Sequence, residues 1–193
     1  MSARFRNLPN ALSLYRICAA PVIAACLLMG LERWFIWLLA VSLLSDIADG
    51  WIARRFKLQS ASGARLDSFA DLLTFSLGIW GVLRFKWAIV SQPAHAAAFF
   101  VFLGFYALLM LTGWLKFGRQ PSLHLYSFKA AAYLQGGCIV SMFLIGFQSA
   151  FYYFVLVWGT LACIEEIAVL VVLTEPRSDV KGLYWVLKEN RRQ

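Results

Sequence analysis

Six long apolar runs alternate with short polar segments along the chain. They cover about 10–30, 33–53, 63–83, 94–115, 129–147 and 150–173. The runs are continuous and do not alternate with period two, so each predicts a helix and not a strand. At about 1.5 Å of rise per residue, some 20 residues cross a hydrocarbon layer of about 30 Å. Pro9 and Asn10 suit the start of the first helix, and Gly30 to Arg33 make a tight turn before the second. A short basic loop, 54–62, precedes the third. A polar turn with Arg84, Lys86, Pro93 and His95 leads to the fourth, and a second basic loop holds Lys116, Arg119, Pro121 and His124. Residues 1–9 form a basic lead-in that serves as a topological anchor, and the polar, basic tail 174–193 is expected at the interface. The first run imitates a signal peptide, but it carries Arg16 and Pro21 and lacks a convincing small-residue cleavage site, so it reads as a span.

Composition agrees with this pattern. The chain is 61% hydrophobic and only 15% charged, with mean hydropathy +0.69. The expected fold is an all-α integral membrane domain over 1–193 with six transmembrane helices. The net charge of +8 would suggest nucleic acid in a soluble protein. Here the cations fall in the short segments between runs, the positive-inside pattern. Of the 18 Lys and Arg residues, Arg33, Arg84 and Lys86 lie on one side and all the others on the side of the termini. Both termini are therefore expected in the cytosol, and no nucleic-acid partner is expected. Cys18, Cys26, Cys138 and Cys163 all lie inside apolar runs without metal spacing, and read as small hydrophobes.

Against this background one stretch is costly. Asp46 and Asp49 are spaced i, i+3 near the end of the second run; Asp67 and Asp71 are spaced i, i+4 near the start of the third. Each pair lies on one helical face. Counting rise from the cytosolic ends places Asp46 and Asp71 about 12 Å in, and Asp49 and Asp67 about 6–7 Å in, two matched layers of carboxylates. Four close carboxylates in low dielectric either take up protons or bind cations. Oxygen ligands favour a hard divalent ion, Mg²⁺, Mn²⁺ or Ca²⁺, and four suffice for a two-metal site of the kind that clamps a transferring phosphoryl group. Gly50 and Ala53 leave room for a ligand near the backbone, Gly63 opens the third helix where free N–H groups can face an anion, and Arg54 can hold a phosphate bidentately. A satisfied polar cluster, a proton relay or a divalent-cation transporter would use the same aspartates, but none of these needs the Gly, Ala and Arg positions.

The pattern D-x2-D-G-x2-A-R-x8-G-x3-D-x3-D is met at Asp46, Asp49, Gly50, Ala53, Arg54, Gly63, Asp67 and Asp71. It resembles the signature of the CDP-alcohol phosphotransferase family, and the six-span layout extends the resemblance to most of the chain. The resemblance implies a multi-pass membrane enzyme, usually a homodimer, in a bacterial cytoplasmic membrane with its site facing the cytosol. It would transfer a substituted phosphoryl group from a CDP-alcohol, commonly CDP-diacylglycerol, to an acceptor alcohol and release CMP in phospholipid synthesis. It further implies that Asp46, Asp49 and Asp67 bind divalent metal (Mg²⁺ or Mn²⁺), and that Asp71 is the base for the acceptor hydroxyl and also contacts a metal. Asp49, Gly50, Ala53, Arg54, Gly63 and Asp67 would frame the cytidine diphosphate.

For the acceptor, the opening N-L-P-N-A-L-S-L-Y-R, with Asn10, Ser13 and Arg16, is similar to phosphatidylglycerophosphate and cardiolipin synthases, which implies glycerol 3-phosphate or a cardiolipin-synthase-type acceptor. D-S-F-A-D is similar to phosphatidylserine synthases, and a phosphatidylinositol-phosphate type remains open. Arg16, Lys116, Arg119 and Lys129 are the candidate acceptor-binding cations, with His124 as a loop histidine. Glu165 and Glu166 lie level with the aspartates; at most one can point squarely inward, and pairing with Arg16 or another cation is expected. Trp34, Trp37, Trp80, Trp87, Trp114, Trp158 and Trp185 fall mostly near span ends, as interfacial residues do.

Overall fold

A computed structural model describes residues 8–56, 61–118, 123, 125–173, 180 and 182–190. Among them are eight helices and no strand: α1 (Leu8–Leu28), α2 (Glu32–Arg55), α3 (Ala61–Phe85), α4 (Trp87–Val90), α5 (Pro93–Phe117), α6 (Tyr126–Leu144), α7 (Ser149–Val172) and α8 (Leu183–Asn190). The six apolar runs correspond to α1, α2, α3, α5, α6 and α7, with ends shifted by three residues or fewer. The additions are a single turn, α4, and a short helix, α8, inside the polar tail. Three helices, Asn10–Leu28, Pro93–Phe117 and Ser149–Val172, are long and apolar enough to cross a membrane by length and composition. The charged residues on α2 and α3 lower their hydropathy. The chain divides into two compact units, one ending at Val90 and the other beginning at Ser91.

In the first unit α1 is the central helix. It packs against both α2 and α3, more extensively than those two pack against each other. The turn from α1 to α2 is made by Gly30 at φ 72°, a left-handed conformation that an L side chain resists. The amide of Leu31 then donates to the Cys26 carbonyl at 2.9 Å, satisfying a carbonyl of the last turn. Below the turn, Ile23, Leu27, Phe35, Ile36 and Leu39 are buried together. Small residues let the helices approach: Ala19, Ala20 and Ala70 are buried, and the Phe35 ring occupies the space a Cβ would need at Gly81. Association between helices in lipid rests on such close packing, because burial from lipid gives no hydrophobic drive. At the end away from the aspartates, Lys86 Nζ meets Glu32 Oε1 at 2.7 Å.

In the second unit α7 is central, packing against α5, α6 and α8. Its buried face reads Tyr152, Val155, Leu156, Gly159, Ala162, Cys163, Glu166, Val169 and Leu170. Gly159 admits the Phe102 ring and the Gln135 amide. At the start of α5, the His95 ring is enclosed by Phe147, Tyr152 and Tyr153, with centroids 4.7, 5.6 and 5.6 Å away. The Tyr152 hydroxyl donates to the His95 carbonyl at 3.1 Å. Many large apolar side chains on α5 and α7 are exposed, among them Phe100, Val101, Leu111, Leu115, Phe154 and Leu161. For a chain read as membrane-spanning, lipid covers that surface.

Candidate functional site

The site is built entirely within the first unit. Helix α2 carries Asp46 and Asp49 on one face, and α3 carries Asp67 and Asp71 on another. Helix α1 places Arg16 between them, buried to 2% exposure. Arg16 Nη1 contacts Asp46 Oδ1 at 2.7 Å and Asp71 Oδ1 at 2.6 Å. Nη2 contacts Asp49 Oδ2 at 3.2 Å and Asp67 Oδ1 at 2.5 Å. Each terminal nitrogen thus joins one carboxylate of α2 to one of α3. The two pairs are the two layers that helical rise assigns, one layer per nitrogen. Ser13, one turn before Arg16 on α1, donates to Asp49 Oδ2 at 3.3 Å.

Accessibility is graded across the cluster. The Asp49 side chain is 5% exposed, Asp46 29%, Asp67 42% and Asp71 52%. Asp49 is the anchored member, Asp71 the open one. Asp46, Asp49 and Asp67 each offer a carboxylate oxygen, and these atoms all lie within 4.8 Å of one another. Oxygens opposite one another across a divalent ion are about 4–5 Å apart, twice a metal–oxygen distance of roughly 2.0–2.6 Å, so the spacing fits such an ion. The charge fits as well: four carboxylates face one guanidinium, leaving formal negative charge for a cation to neutralise.

The remaining expected site residues are placed as follows. Gly50 lies on α2 next to Asp49, and Gly63 lies in the first turn of α3. The side chains of Ala53 and Arg54, and all of Arg119 and His124, lie outside the described residues. Lys116, in the last turn of α5, donates to the Val171 carbonyl at 2.7 Å, one of the terminal carbonyls of α7 that no helical amide reaches. Lys129, in the first turn of α6, is half-buried.

The expected cation pairing of Glu165 and Glu166 is not found among the described residues. Arg16 is engaged by the aspartates. Glu165 instead accepts from the Ser127 hydroxyl at 2.5 Å and from the Leu183 amide at 3.1 Å, which caps the start of α8. Glu166 is buried, and its Oε2 has no hydrogen-bond partner among the described residues. Adjacent helical positions point about 100° apart, so the two carboxylates meet different surroundings.

The part that sequence reasoning missed is Arg16 as the hub of the aspartate cluster. The signal was present. Counted by rise, Arg16 lies about 9 Å from the cytosolic end, between layers at about 6–7 and 12 Å, and Ser13 shares its face.

Comparison with known proteins places this site in context. The chain belongs to the CDP-alcohol phosphatidyltransferase family, whose profile matches residues 6–171. It is 36% identical over 69 residues to a CDP-diacylglycerol–glycerol-3-phosphate 3-phosphatidyltransferase of Cereibacter sphaeroides, covering 34% of this chain and 31% of that protein. It is 39% identical over 71 residues to the chloroplastic CDP-diacylglycerol–glycerol-3-phosphate 3-phosphatidyltransferase 1 of Oryza sativa subsp. japonica, covering 35% of this chain and 21% of that protein. The aligned segments thus span less than a third of these relatives. No solved structure matches.

Proposed function

We propose that the protein transfers a phosphatidyl group from CDP-diacylglycerol to an acceptor alcohol, with glycerol 3-phosphate as the acceptor, and releases CMP. The observation that carries this reading is the convergence of the four motif aspartates from α2 and α3 on one guanidinium, in a chain whose family match runs through both helices. The names of the two relatives support the donor and the acceptor.

In this reading Asp46, Asp49 and Asp67 hold divalent metal, Mg²⁺ or Mn²⁺, and Asp71 joins them at a two-ion site. When bound, the metal supplies positive charge against the diphosphate and the departing CMP. Asp71, the most open of the four, takes the proton from the acceptor hydroxyl. The acceptor oxygen then forms its bond to the lipid-bearing phosphorus as the bond from that phosphorus to the CMP oxygen breaks. Asp49, held by Ser13 and Arg16, fixes the position of the set. Gly50, Ala53, Arg54 and Gly63 line the cytidine diphosphate. The domain spans the bacterial cytoplasmic membrane six times over 1–193, keeps both termini and the site in the cytosol, and works as a homodimer.

The test is CMP release by purified protein in detergent with CDP-diacylglycerol and Mg²⁺ or Mn²⁺. Glycerol 3-phosphate, serine, inositol, inositol phosphate and phosphatidylglycerol are offered in turn. Release dependent on glycerol 3-phosphate and abolished by EDTA is expected. Release with another acceptor alone reassigns the substrate. Cation flux in proteoliposomes, with no CMP release from any acceptor, overturns the reading.

A further inference from the structure

The position of Arg16 has a consequence for metal loading, and the inference rests on the metal reading above. Its two terminal nitrogens contact one oxygen each of Asp46, Asp49, Asp67 and Asp71, all four aspartates of the cluster. Three of those aspartates are the ones whose oxygens converge closely enough to hold an ion. The guanidinium is nearly sealed from solvent, and its Nε has no hydrogen-bond partner among the described residues. Among the described residues its contacts are with these carboxylates. An arginine so deep in an apolar helix is costly unless its charge is used. Four carboxylates drawn from two helices would likewise repel one another unless a cation sits among them.

We propose that Arg16 is the built-in counter-cation of this cluster. In the metal-free protein it holds α2 and α3 together through their aspartates, and it competes with divalent ions for the same carboxylates. Metal affinity is then set by a contest between the ion and the guanidinium, and Arg16 keeps the affinity below what the bare carboxylates would give. Because the guanidinium contributes one positive charge against four negative ones, it preserves the cluster without neutralising it, and a divalent ion retains a strong electrostatic reason to enter.

The experiment compares wild type, Arg16→Met and Arg16→Lys in detergent. It measures melting temperature without metal and across a Mn²⁺ titration. Arg16→Met keeps the length and apolar volume of the stem and removes the charge. It should lower the metal-free melting temperature, enlarge the rise on adding Mn²⁺, and lower the apparent Kd for Mn²⁺ about tenfold or more, since whatever binds only the folded state stabilises it by mass action. Arg16→Lys, which keeps the charge but not the fork, should fall between the two. Arg16→Met in an Asp46→Asn, Asp67→Asn background should regain metal-free stability, because the repulsion that Arg16 offsets has been removed. That triple variant provides a folded protein should the single one fail to fold.

A metal-free melting temperature unchanged in Arg16→Met overturns the proposal. So does a folded Arg16→Met or Arg16→Lys protein that binds Mn²⁺ more weakly than wild type, since Arg16 would then assist the metal. Failure of the metal reading looks different: Mn²⁺ and Mg²⁺ shift the melting of none of the proteins, while the loss in Arg16→Met and its recovery in the triple variant persist.

Discussion

The two units are built alike, each with one helix packed against several others, but the groups at the middle of those helices differ. On α1 it is Arg16, bound to four aspartates of two neighbouring helices. On α7 it is a mostly apolar face that also buries Glu166, with an aromatic box near its start. In the first unit the helices are joined by charge, and removing Arg16 leaves the four carboxylates uncompensated. In the second they are joined by packing and by hydrogen bonds in which no charge faces an opposite one, such as Tyr152 to the His95 carbonyl and Ser127 to Glu165, and each loss stays local. Chemistry should therefore respond to the first unit, and the second should respond mainly in stability.

The largest effect is expected at Asp49. Asp49→Asn keeps the shape of the side chain and removes the charge that the proposed reading gives to the metal, while Arg16 retains Asp46, Asp67 and Asp71. Loss of a metal ligand is worth several kcal/mol of transition-state stabilisation, so CMP release should fall about 10³-fold or more. Melting without metal should change much less, since three ion pairs remain. Full CMP release in this variant would separate the cluster from the reaction.

Next comes the packing of the first unit. A Cβ at Gly81 would enter the space of the Phe35 ring, which is fully buried and lies tilted against Phe85 with centroids 5.7 Å apart. Overpacking of this kind costs about 1–3 kcal/mol or more, and the gain in helix propensity from Gly to Ala returns only about 1. With a Cβ only 2.0 Å from the ring, the upper end applies, and Gly81→Ala should destabilise by up to about 2 kcal/mol in thermal melting. Phe35→Leu in the same chain should restore part of the loss, and no restoration would place the strain elsewhere.

In the second unit the comparable change is smaller. Tyr152→Phe removes the hydroxyl that donates to the His95 carbonyl and leaves the ring stacked among His95, Phe147 and Tyr153. One neutral hydrogen bond is worth about 1 kcal/mol. Melting temperature should drop accordingly, with CMP release per folded molecule unchanged. A loss of turnover greater than the loss of folded protein would tie this box to the reaction.

How much of this was legible in the sequence follows the same division. The helices were legible because continuous apolar runs between polar turns admit little else in lipid, and their ends differ by only a turn or less. The aspartates were legible because four charges at helical spacings are expensive there. Arg16 was legible as an expense, but its partner was not: one buried cation can meet any carboxylate at its depth, and Glu165 and Glu166 lay level with the aspartates. What decides between them is packing. α1 sits against α2 and α3, while Glu165 is taken up by Ser127 and by the first amide of α8. That last helix was not expected, because a basic, polar tail gives weak periodicity, and eight residues are too few to be helical without a docking surface.

The smallest effect is expected at Lys116, and it separates two uses of one cation. Its ammonium lies on the Val171 carbonyl at 2.7 Å, at the end of α7 where helical amides run out. The contact is exposed, and exposed polar pairs are worth about 0.2–1 kcal/mol, with the lower end expected for a flexible lysine. Lys116→Met should keep the stem, lower stability by about 0.3 kcal/mol and leave the KM for glycerol 3-phosphate unchanged. A KM raised tenfold at unchanged melting would instead mean that the ammonium leaves the carbonyl to meet the acceptor phosphate.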